Sequence, residues 1–360
     1  MAEFDAERAM SKGLFAKARL QLIYRRVQEA GEALIGLIRT RDFRSVYQES
    51  WNRAHGIRDV TLRGVFSDRP VNSDLCDVKL IAYYVPWACP PTGTEPGVSQ
   101  WGEVARAVPL FAGHFQPRQP GDLGYYDLRV GDVMSRQVEL ARQYGITAFC
   151  FQFYWLQGAR PFEAPIAAYL QNQRLGLPFC LCWRNQDLSL RAPNGKKYKL
   201  EERYSAEDEL SLFGHLGAYL QDPRYLTIDD KPVAAVFDPG ALPDARQTLS
   251  RWRGAAAEMG LKGLYLVGMK TGRAINLQDL GFDCEAELPP HAAERRRCDH
   301  PPFLARDEAA KTYSYGSLVE QASEKLDKAT LWPGVMPSWD SSPTQIKRGE
   351  IFLGSTPLLF

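Results

Sequence analysis

Apolar and polar positions along residues 77–360 follow two alternating rhythms. Short runs rich in β-branched and aromatic residues, such as Val78-Lys79-Leu80-Ile81-Ala82-Tyr83-Tyr84 and Thr147-Ala148-Phe149-Cys150-Phe151-Gln152-Phe153-Tyr154-Trp155, give way to longer stretches of helical period. The runs predict strands at 78–84, 146–154, 178–183, 233–237, 264–269, 283–287 and 331–336. Helix signals lie between them. Ser205-Ala206-Glu207-Asp208 is a capping box ahead of Leu210, Leu212, Phe213 and Leu216, and Pro243 stands near the start of a helix running toward Gly260. Strands alternating with crossover helices predict a parallel sheet, here a (β/α)8 TIM-type barrel. Seven strands are legible where a closed barrel needs eight, so the sequence predicts a barrel lacking its closing β/α unit.

Residues 1–76 read as an N-terminal helical extension and 77–360 as the barrel. In the extension Ala16, Leu20, Ile23, Val27, Ala30, Leu34 and Leu37 recur at spacings of four and three. Such a seam serves a helix laid on the barrel and self-association equally well. Pro289 to Pro302, with Arg295-Arg296-Arg297, reads as a polar loop that is either solvated or part of the site.

Composition removes several classes. Lys plus Arg number 44 against 43 Asp plus Glu, so no global field draws in nucleic acid or anionic lipid. Seven cysteines, an odd number without paired spacing, argue against a disulfide framework; Cys180 and Cys182, alternating with Leu181, read as packing residues. No run is long and apolar enough for a transmembrane segment, and Met1-Ala2-Glu3-Phe4-Asp5 does not open a leader, so a cytoplasmic protein is expected. No metal site, P-loop, G-x-S-x-G elbow or dinucleotide fingerprint occurs, and no cofactor is expected.

The predicted strands end in aromatic residues where a sequence built only for packing would turn polar. Tyr83 and Tyr84, Tyr154 and Trp155, and Trp183 followed by Asn185 and Gln186 stand at three such ends, and Trp339 sits beside Asp340 after the last. Rings that stack on pyranose faces, next to amides that meet hydroxyls, suit a sugar-binding cleft at the carboxyl ends of barrel strands. Trp183 serves equally well as a core cap. Alternation places Asp283, Glu285 and Glu287 on one face and Cys284, Ala286 and Leu288 on the other. Glu287, nearest the strand end and close to His291, is the best acid or base candidate, with Asp340 as its partner. His114 binds a hydroxyl or makes a structural hydrogen bond.

At these residues the sequence resembles the WbsX-type proteins of polysaccharide biosynthesis loci, related to the glycoside hydrolase family 99 endomannosidases. The resemblance rests on Tyr83-Tyr84, Trp101-Gly102-Glu103-Val104, Pro109 to Arg118, Asp122 to Arg129, Phe179 to Trp183, Asp222-Pro223-Arg224-Tyr225, Glu287 to His291, Trp339-Asp340 and Gly354-Ser355-Thr356-Pro357. It implies a TIM-type barrel acting on surface glycans, and it adds Trp101, Gln116 and Tyr126 to the substrate-binding set. It also implies paired-carboxylate chemistry, one group protonating the leaving oxygen and the other assisting the sugar's own 2-hydroxyl. The departures bear on that chemistry. Val98-Ser99-Gln100-Trp101 stands where the family shows Phe-Thr-Glu-Trp, and Trp183-Arg184-Asn185-Gln186-Asp187-Leu188-Ser189 where it shows Trp-Ala-Asn-Glu-Asn-Trp-Thr. Thr344 replaces an arginine. The family's Asn-Glu-Trp-x-Glu strand, which bears its carboxylates, is expected to be missing beyond Phe360. Three readings follow: a glycoside hydrolase-like protein, a non-catalytic or degenerate glycan-binding relative, and a glycosyltransferase of lipopolysaccharide or capsule biosynthesis.

Overall fold

Twelve strands are formed among the described residues of the computed structural model, which are 78–89, 101–111, 113–118, 120–191, 197–272, 275–299, 310–323, 330–345 and 348–356. In chain order they are β1 (Leu80–Tyr84), β2 (Ile146–Phe153), β3 (Phe179–Trp183), β4 (Leu188–Arg191), β5 (Lys197–Leu200), β6 (Thr227–Ile228), β7 (Lys231–Val236), β8 (Tyr265–Lys270), β9 (Cys284–Glu287), β10 (Lys311–Ser314), β11 (Leu331–Trp332) and β12 (Glu350–Leu353). The helices are α1 (Trp101–Arg106), α2 (Gly131–Gln143), α3 (Glu163–Gln171), α4 (Ala206–Leu220), α5 (Ala245–Glu258) and α6 (Tyr315–Ser323). The expected N-terminal extension and its seam from Ala16 to Leu37 lie outside the described residues.

The main sheet runs β1-β2-β3-β7-β8-β9-β11, with every neighbouring pair parallel. These seven are the seven strands that the hydrophobic pattern predicts, with the last cut to two residues. The fold is that of a (β/α)8 TIM-type barrel: β1 and β11 end the sheet, and among the described residues they do not pair and no further parallel strand joins them. Helices α3, α4 and α5 fill the crossovers after β2, β3 and β7. Ser205 caps α4, its hydroxyl accepting from Asp208 N, as the capping box predicts, and Asp244 caps α5 by accepting from Gln247 N. No helix among the described residues is long and apolar enough to cross a membrane.

Alternation gives the sheet two distinct faces. Phe149, Phe151 and Phe153 of β2 and Phe179 and Trp183 of β3 point to the helices, meeting Tyr169 of α3, Tyr219 of α4 and Trp252 of α5. The opposite face is the barrel lumen, lined by Tyr83, Cys150, Gln152, Cys180, Cys182 and Ala235. Small thiols suit a lumen crowded by adjacent strands, and burial pushes the Cys182 thiol well above its ordinary pKa.

Asp222-Pro223-Arg224-Tyr225 ties the layers together. The guanidinium of Arg224 donates to the carbonyls of Tyr169, Leu170, Asn172 and Leu175, closing the carboxyl end of α3, while Asp222 holds it at 2.8 Å. The Tyr225 hydroxyl accepts from Leu181 N and donates to Val233 O, bridging β3 and β7. Short strands absent from the hydrophobic pattern complete the fold: the antiparallel pair β4–β5, β6 against β7, and the parallel pair β10–β12. Phe352 of β12 donates its N–H to Trp339 O at 2.9 Å, which fixes the segment after β11.

Candidate functional site

The carboxyl ends of the parallel strands bring lumen-facing side chains to one mouth. Tyr83, at the end of β1, donates its hydroxyl toward Cys182 Sγ at 3.9 Å. Burial, followed by the neighbouring thiols Cys182 and Cys150, holds its phenol well above the ordinary pKa and keeps it a donor. Beyond β2, the Tyr154 hydroxyl accepts from Trp87 Nε1 at 3.2 Å and Gln152 Nε2 at 3.1 Å. Burial pushes its pKa up to about 12.

β3 gives the mouth Arg184, a residue the sequence reading passed over. Its backbone N donates to Phe153 O at 2.7 Å, and its guanidinium carbon lies 3.4 Å above the ring centre of Phe237, the residue after β7. Phe237 meets His291 edge-on at 5.8 Å, and His291 meets Trp339 at 6.1 Å. Burial lowers the His291 pKa first, and Arg184 and Arg295 lower it further, so the imidazole is neutral at neutral pH. Tyr83, Tyr154, His291 and Trp339 are therefore brought together around Arg184 and Phe237.

Other expected ligands are placed elsewhere. Trp183 is 3 % exposed and faces outward, 5.6 Å from Trp252 and 6.1 Å from Tyr204. It is a core cap and not a stacking platform, because strand alternation turns it away from the lumen that Cys182 and Arg184 face. Tyr84 likewise points to the helix layer, donating to Gln137 Oε1 of α2 at 2.5 Å and packing on Phe149 and Phe151. Trp155 donates to Asp208 Oδ1 at 3.0 Å and lies against His215, so α4 takes up its ring. Trp101 donates to Tyr126 O at 2.7 Å and stacks edgewise on Tyr126, forming a cluster of its own near α2. His114 accepts from Leu110 N at 3.1 Å through Nδ1 and stacks on Phe111. Asn185 is fully buried as a clamp: its amide donates to Asp238 O and accepts from Asp238 N, both at 2.8 Å. Gln186 donates to Asp238 Oδ2 at 3.1 Å.

The two proposed carboxylates are both tied to neighbours. Asp340 accepts from Gln116 Nε2 at 2.5 Å and from Ser342 N at 2.9 Å, with Arg118 Nε 3.9 Å away. Glu287 accepts from Gly334 N at 3.4 Å and pairs in register with Lys270, on the face opposite Ala286. A third carboxylate carries a different signal. Both oxygens of Glu202, after β5, are buried without a partner. Burial above all, then Asp208 and Asp187, pushes its pKa up to about 8. Nothing in its sequence neighbourhood marked it, because its burial depends on the β4–β5 pair folding back.

The match to known families covers this same stretch. A model of the family described as "Glycosyltransferase WbsX" matches residues 82–360. The chain belongs to the WbsX family. A curated relative from Xanthomonas campestris pv. campestris strain B100, the uncharacterized protein WxcX, is 35% identical over 290 residues, 77% of this chain and 41% of the relative; its counterpart from strain ATCC 33913 matches equally. The chain thus spans about two-fifths of the length of these curated relatives. Among solved structures, a glycoside hydrolase-like protein overlaps at a TM-score of 0.47 with 14% identity, covering 82% of this chain and 79% of the other. The family 99 endo-alpha-mannosidase of Bacteroides thetaiotaomicron overlaps at 0.46 with 11% identity, covering 75% and 73%. Overlaps this partial identify no chemistry.

Proposed function

We propose that this WbsX-family barrel binds a glycan of a surface polysaccharide in its mouth. The observation that carries the reading is the convergence of Tyr83, Tyr154, Phe237, His291 and Trp339 with Arg184 at the carboxyl ends of the parallel strands. Apolar ring faces beside hydroxyl, imidazole and guanidinium groups meet the two faces of a sugar, its C–H surface and its hydroxyls. Calorimetric titration of the protein with oligosaccharides from bacterial surface polysaccharides tests it. Saturable binding that Trp339→Ala weakens about tenfold or more supports the reading, a loss consistent with one stacking ring. A panel in which no oligosaccharide binds saturably overturns it.

The family's description as glycosyltransferases supports a second reading, in which a glycosidic bond is also made or broken. Glu287 and Asp340, chosen from their place at strand ends, stand in for the carboxylate pair that the resemblance implies. Their ties to Gly334, Gln116 and Arg118 give them positioning roles as well. Glu287→Gln and Asp340→Asn distinguish the two. Loss of product formation with binding retained supports chemistry, whereas a wild-type protein that binds without turnover leaves the binding reading alone.

A further inference from the structure

The mouth holds a cation that no carboxylate among the described residues neutralises. The other arginine beside His291, Arg295, pairs with Glu350. Arg184 lies over Phe237 and makes no ion pair with a carboxylate of any described residue. Asp238, the residue after Phe237, is engaged by Gln186 at 3.1 Å and Thr271 at 3.4 Å. A guanidinium partly withdrawn from water without a counter-charge costs free energy, and a stack on one ring recovers only part of it.

The neighbouring hydroxyl also lacks an acceptor among the described residues. Phe153 pairs with Trp183, so Tyr154 and Arg184 follow side by side on the lumen face. Tyr154 already accepts from Trp87 and Gln152, which leaves its own proton to donate. Two donors, one of them charged, thus share one place.

We infer that the glycan bound here carries a carboxylate, seated on Arg184 with Tyr154 as second donor; the inference rests on the glycan-binding reading above. A guanidinium and a carboxylate match as planar forks, and one unpaired positive charge balances one carboxylate. A diphosphate, by contrast, calls for more than one cation or a run of backbone N–H donors. His291, held neutral by its burial and by Arg184 and Arg295, adds a polar neighbour without adding charge.

The carboxylate belongs either to a uronic acid or to a pyruvate ketal on a neutral sugar, and one experiment separates the two. The full chain is titrated calorimetrically with oligouronides, with pyruvylated oligosaccharides, and with each after reduction of its carboxylates to alcohols. The acid form of one class should bind about 10- to 100-fold more tightly than its reduced form, as a charge-assisted pair implies. Arg184→Met should abolish that difference without lowering the thermal midpoint. Arg184→Lys, which keeps charge and loses the fork, should retain only part of it, and it stands in if the methionine variant does not fold. Equal affinity for acid and reduced forms overturns the inference and leaves glycan binding intact. Tighter binding of a sugar nucleotide than of any oligouronide or pyruvylated glycan overturns it in favour of phosphate. Absence of binding to every probe overturns both readings.

Discussion

Trp183 and Arg184 are adjacent in sequence and opposite in role. The indole lies in a cluster with Trp252 and Phe213, so Trp183→Ala should cost about 3–5 kcal/mol of stability by denaturant titration, as large-to-small aromatic changes in cores do. Glycan affinity of the folded fraction should be unchanged; a tenfold loss would return Trp183 to the cleft. Glu202 makes a second prediction at this scale. Its pKa in the folded protein is raised from 4.5 to about 8, so its contribution to stability is full below pH 4.5 and is lost as pH rises through about 8. The thermal midpoint of the wild type should therefore fall relative to that of Glu202→Gln between about pH 5 and pH 9. Parallel curves for the two proteins would show that the carboxyl is solvated.

At the scale of elements, the end of α3 depends on a residue far along the chain. Arg224 and Asp222 are 9 % and 3 % exposed at their side chains, and Arg224 also carries four carbonyls, two in the last turn of α3 and two just beyond it. Arg224→Ala leaves a buried carboxylate and those carbonyls unpaired, a loss of about 3–5 kcal/mol that urea titration should register. Hydrogen bonding to Arg224 pulls the Asp222 pKa down from 3.8 to about 2. Its stabilisation is thus present above pH 3.8 and lost as pH falls toward 2, so the acid limb of the stability curve should flatten in the Arg224 variant. An unchanged acid limb would contradict the pairing. Gly334 is a second such point. A Cβ there would overlap the Glu287 carbonyl and the Pro289 ring, so the chain leaving β11 passes the end of β9 only without a side chain. Gly334→Ala should displace His291 and weaken glycan binding, a result absent if the two segments do not touch.

Across the whole barrel, Cys150 and Cys182 are sealed in the lumen with raised pKa values, and among the described cysteines Cys298 alone is half-buried. Maleimide labelling followed by peptide mass spectrometry should modify Cys298 in the native protein and reach Cys150 and Cys182 only on global unfolding. Fast labelling of the lumen thiols would mean that the open sheet breathes between β1 and β11. The seven parallel strands and the capped helices α4 and α5 were legible in the sequence, because local periodicity, β-branched runs and cap residues act over a few positions. The four-residue strands β4, β5, β10 and β12 were not, since runs such as Lys311-Thr312-Tyr313-Ser314 carry too little pattern and form only against a partner. The site divides along the same line. Period-two alternation, already present in the sequence, sets Cys182 and Arg184 on one face and Trp183 on the other. Which face becomes lumen is decided by where α4 and α5 pack, and only that packing turned Arg184 toward Phe237 and buried Trp183.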